Sequence, residues 1–259
     1  MVRYKAIGFD LFNTLITLER GAFATAVARL VAALNACGLE VPAEQFETAH
    51  REAALSAVLK ARQSGLETHN RFWIAAALSS LGQEVDPEDE RIATAVEAYF
   101  SAFLEHARLI PNTLEMLDTL GGRYRVGLLS NFTHAPAARS ILDRLGLTPF
   151  FEALLISGDL GYRKPHASVF SALCQELAMS PGEILYVGDD PEADVDGALE
   201  AGLASVWMTY VRDNNIPQPP SVWVRHTSYP EGSAQRVSDW ADFLAWLEGS
   251  EGTAPRPSG

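Results

Sequence analysis

The stretch Ala6-Ile7-Gly8-Phe9-Asp10-Leu11-Phe12-Asn13-Thr14-Leu15 decides how the rest of the chain is read. Its opening residues are small or apolar and predict a short, buried strand. That strand delivers one carboxylate, Asp10, where it should end. In open α/β sheets, ligands bind in the crevice outside the carboxyl ends of the strands. An acid at that place is a candidate nucleophile or metal ligand rather than a solubilising charge.

Beyond residue 110 the pattern supplies partners for this strand. Predicted strands Arg125–Leu129, Ala153–Ile156, Ile184–Val187 and Ala204–Met208 alternate with predicted helices over 112–121, 135–145, 165–178 and 192–201. Helices alternating with Gly-bounded β-rich runs predict a parallel sheet with right-handed crossovers. Between the first strand and this region, apolar residues recur at helical spacing over 20–37, 43–63, 69–81 and 87–106, the last opened by Asp86-Pro87. Four helices with no strand between them predict a bundle, inserted after the first strand. The fold class is α/β, a doubly wound parallel sheet with an inserted α-helical bundle. The expected division is 1–16 and 108–248 for the sheet core and 17–107 for the bundle. The small, polar segment 249–259 is expected to be disordered.

At 259 residues and 47% hydrophobic content, the chain can bury a substantial core. Its net charge of -13 argues against nucleic acid and anionic membranes as partners, because both require basic patches. No stretch approaches the roughly 18 to 20 apolar residues of a membrane span, and the N-terminus carries no signal-peptide pattern. A cytoplasmic protein, monomer or homodimer, is the resulting expectation. Cys37 and Cys174 lie in apolar helical patterns and read as buried free thiols. Seventeen arginines stand against three lysines, Lys5, Lys60 and Lys164, so each lysine is worth placing.

Several strands end in polar residues: Asp10, Ser130-Asn131 and Asp189-Asp190. Strand ends on one edge of a parallel sheet converge on one cleft. With Lys164 at the start of a following helix, the set is a carboxylate, a hydroxyl and amide pair, an ammonium and an acidic cluster. Carboxylates are competent covalent nucleophiles toward phosphoryl groups. Attack on an anionic electrophile requires positive charge in the site, from Lys164 and from a hard divalent cation such as Mg²⁺. Ser130 and Asn131 could hold the remaining oxygens, and Lys164 would keep Asp10 ionised. The expected substrate is a small anion such as a phosphorylated metabolite.

These residues, in this order, resemble the haloacid dehalogenase superfamily of hydrolases. Asp10-Leu11-Phe12-Asn13-Thr14 is similar to its Asp-x-Asp-x-Thr motif except at the third position, and Leu128-Leu129-Ser130-Asn131 to its strand-closing Ser or Thr. Lys164-Pro165 is similar to its third motif, and Gly188-Asp189-Asp190-Pro191-Glu192-Ala193-Asp194 to its fourth. The resemblance implies a Rossmann-like core with the helical bundle as a cap. It implies Asp10 as nucleophile, with Ser130 and Lys164 binding the transferring group and Thr14 shaping the loop. It also implies Mg²⁺ held by Asp10, the Phe12 carbonyl and Asp189, with Asp194 supporting the cluster and Asp190 as a further ligand.

Phe12 departs from the motif. In the superfamily's phosphatases the acid at this place protonates the leaving alcohol and then activates water. Phenylalanine can do neither, although its carbonyl can still meet a metal. General acid–base catalysis contributes about 10² to 10⁴-fold, so alkyl phosphates should suffer most from its loss. An aromatic here resembles the 2-haloacid dehalogenases, which expel halide and need no metal; the acidic fourth motif resembles the metal-dependent branch instead, and Phe170 stands where the dehalogenases carry a tyrosine. A non-catalytic binding relative is the third reading. Lys60 reads as a surface lysine and not as a Schiff-base residue of a phosphonate-cleaving relative. His134 and His166 read as helix-cap or surface residues that could touch substrate. Arg51, Arg62, Arg71 and Arg163 are candidate anion contacts, and Trp207, Trp223, Trp240 and Trp246 read as packing, with Trp73 either cap core or cleft lining.

Overall fold

In a computed structural model, residues 4–216 and 234–252 are described. The chain begins with β1 (Ala6–Phe9) and β2 (Ile16–Leu18). It then runs through four helices, α1 (Ala22–Ala36), α2 (Ala43–Ser64), α3 (Asn70–Ser80) and α4 (Glu90–His106). It returns through β3 (Ala107–Leu109), which pairs antiparallel with β2, Ile16 opposite Leu109. This two-stranded stalk carries the chain out of the sheet and back. It was not expected from sequence, because three-residue strands show no periodicity.

The remaining elements are α5 (Thr113–Leu120), β4 (Arg125–Ser130), α6 (Ala135–Arg144), β5 (Ala153–Ile156), α7 (Ser157–Leu160), α8 (Ala167–Glu176), β6 (Ile184–Gly188), α9 (Gly197–Glu200), β7 (Ala204–Met208), α10 (Tyr210–Asp213), β8 (Gln235–Val237) and α11 (Trp240–Gly252). Six strands form one parallel sheet in the order β5-β4-β1-β6-β7-β8. The expected α/β architecture, a doubly wound sheet with an inserted helical bundle, is the architecture observed.

Strand alternation assigns the faces of β1. Ile7 and Phe9 join the core on the side of α5, α6 and α11, while Ala6 belongs to the cluster packed by α8 and α9. Phe9 meets Trp240 and Phe243 edge-on at 5.9 and 6.2 Å. Those contacts, with buried Leu247, explain why α11 runs through Gly252 where a tail from 249 was expected to be disordered; Trp240, Phe243 and Leu247 share one helical face and anchor it. Residues 253–259 and Trp223 lie outside the described residues. Helix α4 begins at Glu90 with Asp89 as its cap, because the Asp89 carboxylate accepts from Arg91 N at 2.8 Å, so Asp86-Pro87 belongs to the turn before it. The predicted helix 192–201 is a wide π turn over Pro191–Asp196 followed by α9. Among the described residues no helix is long and apolar enough to cross a membrane. Cys174 is a buried free thiol and Cys37 a half-buried one.

Candidate active site

Register places the site. Phe9 pairs with Leu128 on one side and Val187 on the other. The next residue, Asp10, therefore emerges between the ends of β4 and β6, level with the approach to Ser130 and Asp189. Asp10 N donates to Val187 O at 2.9 Å, fixing the backbone there. This is where the strand order reverses direction, from β4 and β5 on one side to β6, β7 and β8 on the other, which is where open sheets open a crevice.

Lys164, fully buried, points into this point. Its Nζ lies 2.6 Å from Asp10 Oδ1, 2.7 Å from Asp194 Oδ1, 2.8 Å from the Tyr186 hydroxyl and 2.9 Å from Leu129 O. Burial alone would pull the lysine down, but Asp10 and Asp194 outweigh it and hold its pKa well above the ordinary value. Tyr186 OH also donates to Leu129 O at 2.8 Å, and burial pushes its phenol well above the usual range. Thr14 Oγ1 donates to Asp10 Oδ2 at 3.3 Å. Ser130 is buried at the end of β4 and lines the cleft.

Ligand oxygens of Asp10, Asp189 and Asp194 lie within 4.8 Å of one another. Burial, then the charges of Asp10, Asp194 and Asp190, raises the Asp189 pKa well above the carboxylate range. Burial also raises Asp194, to about 7, against the opposing pull of Lys164. Three carboxylates thus face one ammonium. An ammonium has three N–H bonds and here meets four oxygens; Asp194 Oδ1 is the one left without a hydrogen bond although it is buried. Asp194 Oδ2 is satisfied by Asp190 N at 2.9 Å. Gly188 permits this packing, since a Cβ there would lie 2.3 Å from Asp194 Cγ. An all-oxygen donor set with more carboxylates than ammonium groups, in which Asp194 Oδ1 has only the shared Lys164 ammonium as partner, fits a hard divalent cation. Among the described residues the Phe12 carbonyl accepts no backbone hydrogen bond, so it too is available.

Other residues singled out in the sequence fall elsewhere. Asp190 is outside the three-acid group: its Oδ1 caps the π turn, accepting from Glu192 N and Ala193 N at 3.0 Å each, and its Oδ2 lies 3.4 Å from Arg62. Asn131 spends its side-chain amide on the backbone of Lys164, accepting from Lys164 N at 2.8 Å and donating to Lys164 O at 3.0 Å. It holds the lysine in place where a substrate contact was expected. His166 caps α8, and Phe170 packs edge-on against Tyr186 at 5.3 Å. Lys60 is exposed on α2.

A cleft of about 990 Å³ opens between this floor and the helical bundle. Phe12, Phe23, Trp73, Tyr99, Phe103 and Phe132 line it, and Arg51, Arg62 and Arg163 also reach it. Beside the cleft, the segment between α2 and α3 is stitched to the core. Glu67 N donates to Gly161 O at 2.9 Å and Arg163 N to Gly65 O at 3.0 Å. Arg163 Nη1 pairs with Glu67 Oε1 at 3.2 Å, nearly excluded from solvent, and Glu67 also accepts from Ser157 Oγ. Thr133 Oγ1 donates to Asn70 Oδ1. His69 Nδ1 accepts from Arg71 N at 3.2 Å, which leaves Nε2 to donate to His134 Nδ1 at 3.3 Å, and His134 Nε2 in turn to Glu97 at 2.9 Å. Sequence reasoning missed this seam, whose two sides are joined by partners between 37 and 98 positions apart.

Fold and site together define a doubly wound α/β core with a strand-end aspartate, a lysine and an acidic cluster beneath a helical bundle. Residues 4–202 match the haloacid dehalogenase-like hydrolase family, and the chain belongs to it. Glyceraldehyde 3-phosphate phosphatase of Pyrococcus furiosus is 31% identical over 81% of this chain and 82% of its own length. Among solved structures, 2-haloacid dehalogenase from Pseudomonas syringae pv. Tomato DC3000 is 24% identical with a TM-score of 0.64, over 95% of this chain and 99% of its own. HAD phosphatase from Thermococcus onnurineus is 20% identical with a TM-score of 0.63 over the same shares. These two structures share the fold.

Proposed function

We propose that this chain is a magnesium-dependent phosphatase, hydrolysing a phosphate ester or acyl phosphate of a small molecule through a phosphorylated Asp10. The observation that carries the reading is the imbalance of the floor: three clustered carboxylates around one buried ammonium. A halide-expelling enzyme needs no cation, and without one Asp189 and Asp194 would repel charge from the nucleophile. The phosphatase relatives at 31% and 29% identity support the same branch.

In this reading Asp10 attacks phosphorus as the bond from phosphorus to the leaving oxygen breaks, and the electron pair departs with that oxygen. Water then attacks the phosphorylated aspartate, the bond from Asp10 to phosphorus breaks, and the carboxylate returns; the water's protons end on phosphate and solvent. Lys164 and Ser130 hold the phosphoryl oxygens. Thr14 and Asn131 fix Asp10 and Lys164 respectively. Asp10, Asp189 and the Phe12 carbonyl would hold Mg²⁺, with Asp194 supporting and Asp190 at the margin. When bound, the cation supplies positive charge against the transferring group. The bundle over 17–107 acts as the cap that chooses the substrate, and 1–16 with 108–248 as the catalytic core.

The test is hydrolysis of acetyl phosphate and p-nitrophenyl phosphate with and without Mg²⁺. Turnover that requires the cation and vanishes in Asp10→Asn supports the reading. Metal-independent chloride release from L-2-chloropropionate, with no phosphatase activity, would overturn it in favour of dehalogenation.

A further inference from the structure

The residue where an acid was expected is joined to a continuous aromatic wall. Phe12 stacks on Phe132 with ring centroids 4.9 Å apart and planes 13° from parallel. Phe132 meets Phe103 at 6.1 Å, Phe103 meets Phe23 edge-on at 5.0 Å, and Tyr99 lies 5.3 Å from Phe103. All five rings line the cleft. The wall therefore starts two residues from Asp10, on the core loops after β1 and β4, and continues onto α1 and α4 of the bundle. Phe12 and Phe23 are only partly buried, whereas Phe132, Phe103 and Tyr99 are buried behind them, so the wall presents ring surface to the cleft at Phe12 and Phe23. Planar apolar groups find their best partners in offset or edge-on contact with such rings.

Chemistry and shape agree at this point. Phe12 offers no proton to a departing oxygen, so the leaving group must depart as a stable anion. A phenolate has a conjugate acid near pKa 10, like tyrosine; an alkoxide, like hydroxide, is a far stronger base and a far poorer leaving group. Of the other acids along the cleft, Glu19 is engaged with Arg108 at 2.8 Å, Glu47 and Glu192 are exposed, Asp190 caps the π turn, and Asp189 and Asp194 belong to the acidic cluster of the floor.

Resting on the phosphatase reading above, we infer that the substrate is an aryl phosphate: a phosphate carried on a planar, weakly basic hydroxyl that packs against the ring surface this wall presents at Phe12 and Phe23. In the first step the bond from Asp10 to phosphorus forms and the bond from phosphorus to the aryl oxygen breaks. The aryloxide leaves with the electron pair and is protonated by solvent. Water completes the second step as above.

The experiment is a four-substrate comparison with the full chain in Mg²⁺: acetyl phosphate, phenyl phosphate, cyclohexyl phosphate and propyl phosphate. Phenyl phosphate should exceed cyclohexyl phosphate, which matches its size, by about 10²-fold or more in kcat/KM, the scale of a missing general acid. It should also show a KM several-fold below that of acetyl phosphate, which has the good leaving group and no ring. In Phe23→Leu the ratio of phenyl to acetyl phosphate turnover should fall at least fivefold, reading the wall apart from the chemistry. Cyclohexyl or propyl phosphate within about tenfold of phenyl phosphate would overturn the inference, as would acetyl phosphate turnover with phenyl phosphate inert; in both cases the phosphatase reading stands. Inertness toward all four phosphates would remove that reading and this inference with it.

Discussion

The floor of the cleft and the seam beside it both bury charge, and they balance it in opposite ways. In the floor, Asp10, Asp189 and Asp194 face one ammonium, Lys164, and one carboxylate oxygen has no hydrogen bond. In the seam, Glu67 meets Arg163 one to one, and Ser157 satisfies the second carboxylate oxygen. Burial lowers the Arg163 pKa and Glu67 opposes that fall, yet a guanidinium remains charged at neutral pH. A buried charge that is matched serves architecture. One that is unmatched marks a site whose missing partner arrives from solution. The seam pairs its charges without a ligand, although Arg163 Nε has no hydrogen-bond partner; the floor leaves carboxylates in excess of its one ammonium.

The sharpest way to break this contrast is to remove charge from each side. In the floor, Asp10→Asn should abolish turnover, by about 10⁴-fold or more as when a covalent nucleophile is removed, while thermal unfolding stays cooperative. In the seam, Glu67→Ala leaves Arg163 buried without its partner and should destabilise the fold by about 3–5 kcal/mol, read by urea unfolding. Glu67→Gln keeps a hydrogen-bonding group for Ser157 and should lie between the two. A loss below about 1 kcal/mol in Glu67→Ala would mean the seam is no more than a surface contact.

Magnesium tests the contrast from the other direction. If the floor lacks a cation, Mg²⁺ at a hundred times its dissociation constant should stabilise the chain by about 2.7 kcal/mol, seen as a rise in melting temperature that chelator reverses. Asp189→Asn should remove the rise, and Glu67→Gln should keep it. An equal response to Mg²⁺ in Asp189→Asn would assign the binding elsewhere.

The two regions were unequally legible in the sequence. The floor is written in short segments: Asp10, Ser130 and Asp189 each close an apolar run, and parallel register brings such ends together. Lys164 stands out by scarcity. Asp190 also serves as a cap, which a strand-end acid does not reveal until the acceptor's partners, Glu192 N and Ala193 N, are known. The contact of the Asn131 amide with the Lys164 backbone is likewise visible only in the fold. The seam left no local signal. Glu67, His69 and Asn70 sit in a polar connection between two helices, and nothing in that stretch reports Arg163, His134 or Thr133. Tyr186 read as strand core, and only the fold brings its hydroxyl to Lys164. The helix α11 was readable from the spacing of Trp240, Phe243 and Leu247, but the small polar residues after it drew attention instead.

A third buried titratable group extends the comparison, because it carries no charge at all. His50 on α2 lies among Phe46, Trp73 and Tyr99, with ring centroids 5.9, 6.5 and 5.8 Å away, and its Nε2 has no hydrogen-bond partner. Burial lowers its pKa to about 4 from 6.5. The unfolded chain takes up a proton below pH 6.5, and the folded chain resists it until about pH 4. The unfolded state therefore binds more protons throughout that window, and stability falls as pH falls through it. At about 1.4 kcal/mol per unit, the loss from His50 between pH 7 and pH 5 is about 2 kcal/mol. Asp194, whose folded pKa is raised to about 7, and Asp189, raised well above the carboxylate range, act with the opposite sign, and His69, lowered to about 4, with the same sign. The wild-type curve thus sums these groups, and only a difference isolates His50. His50→Met keeps an apolar side chain of similar reach, so stability of the variant relative to wild type should rise steadily as pH drops from 6.5 to 4 and be flat above it. A difference that is flat throughout would mean that His50 is protonated in the folded chain, and that the bundle interior, like the floor, holds charge.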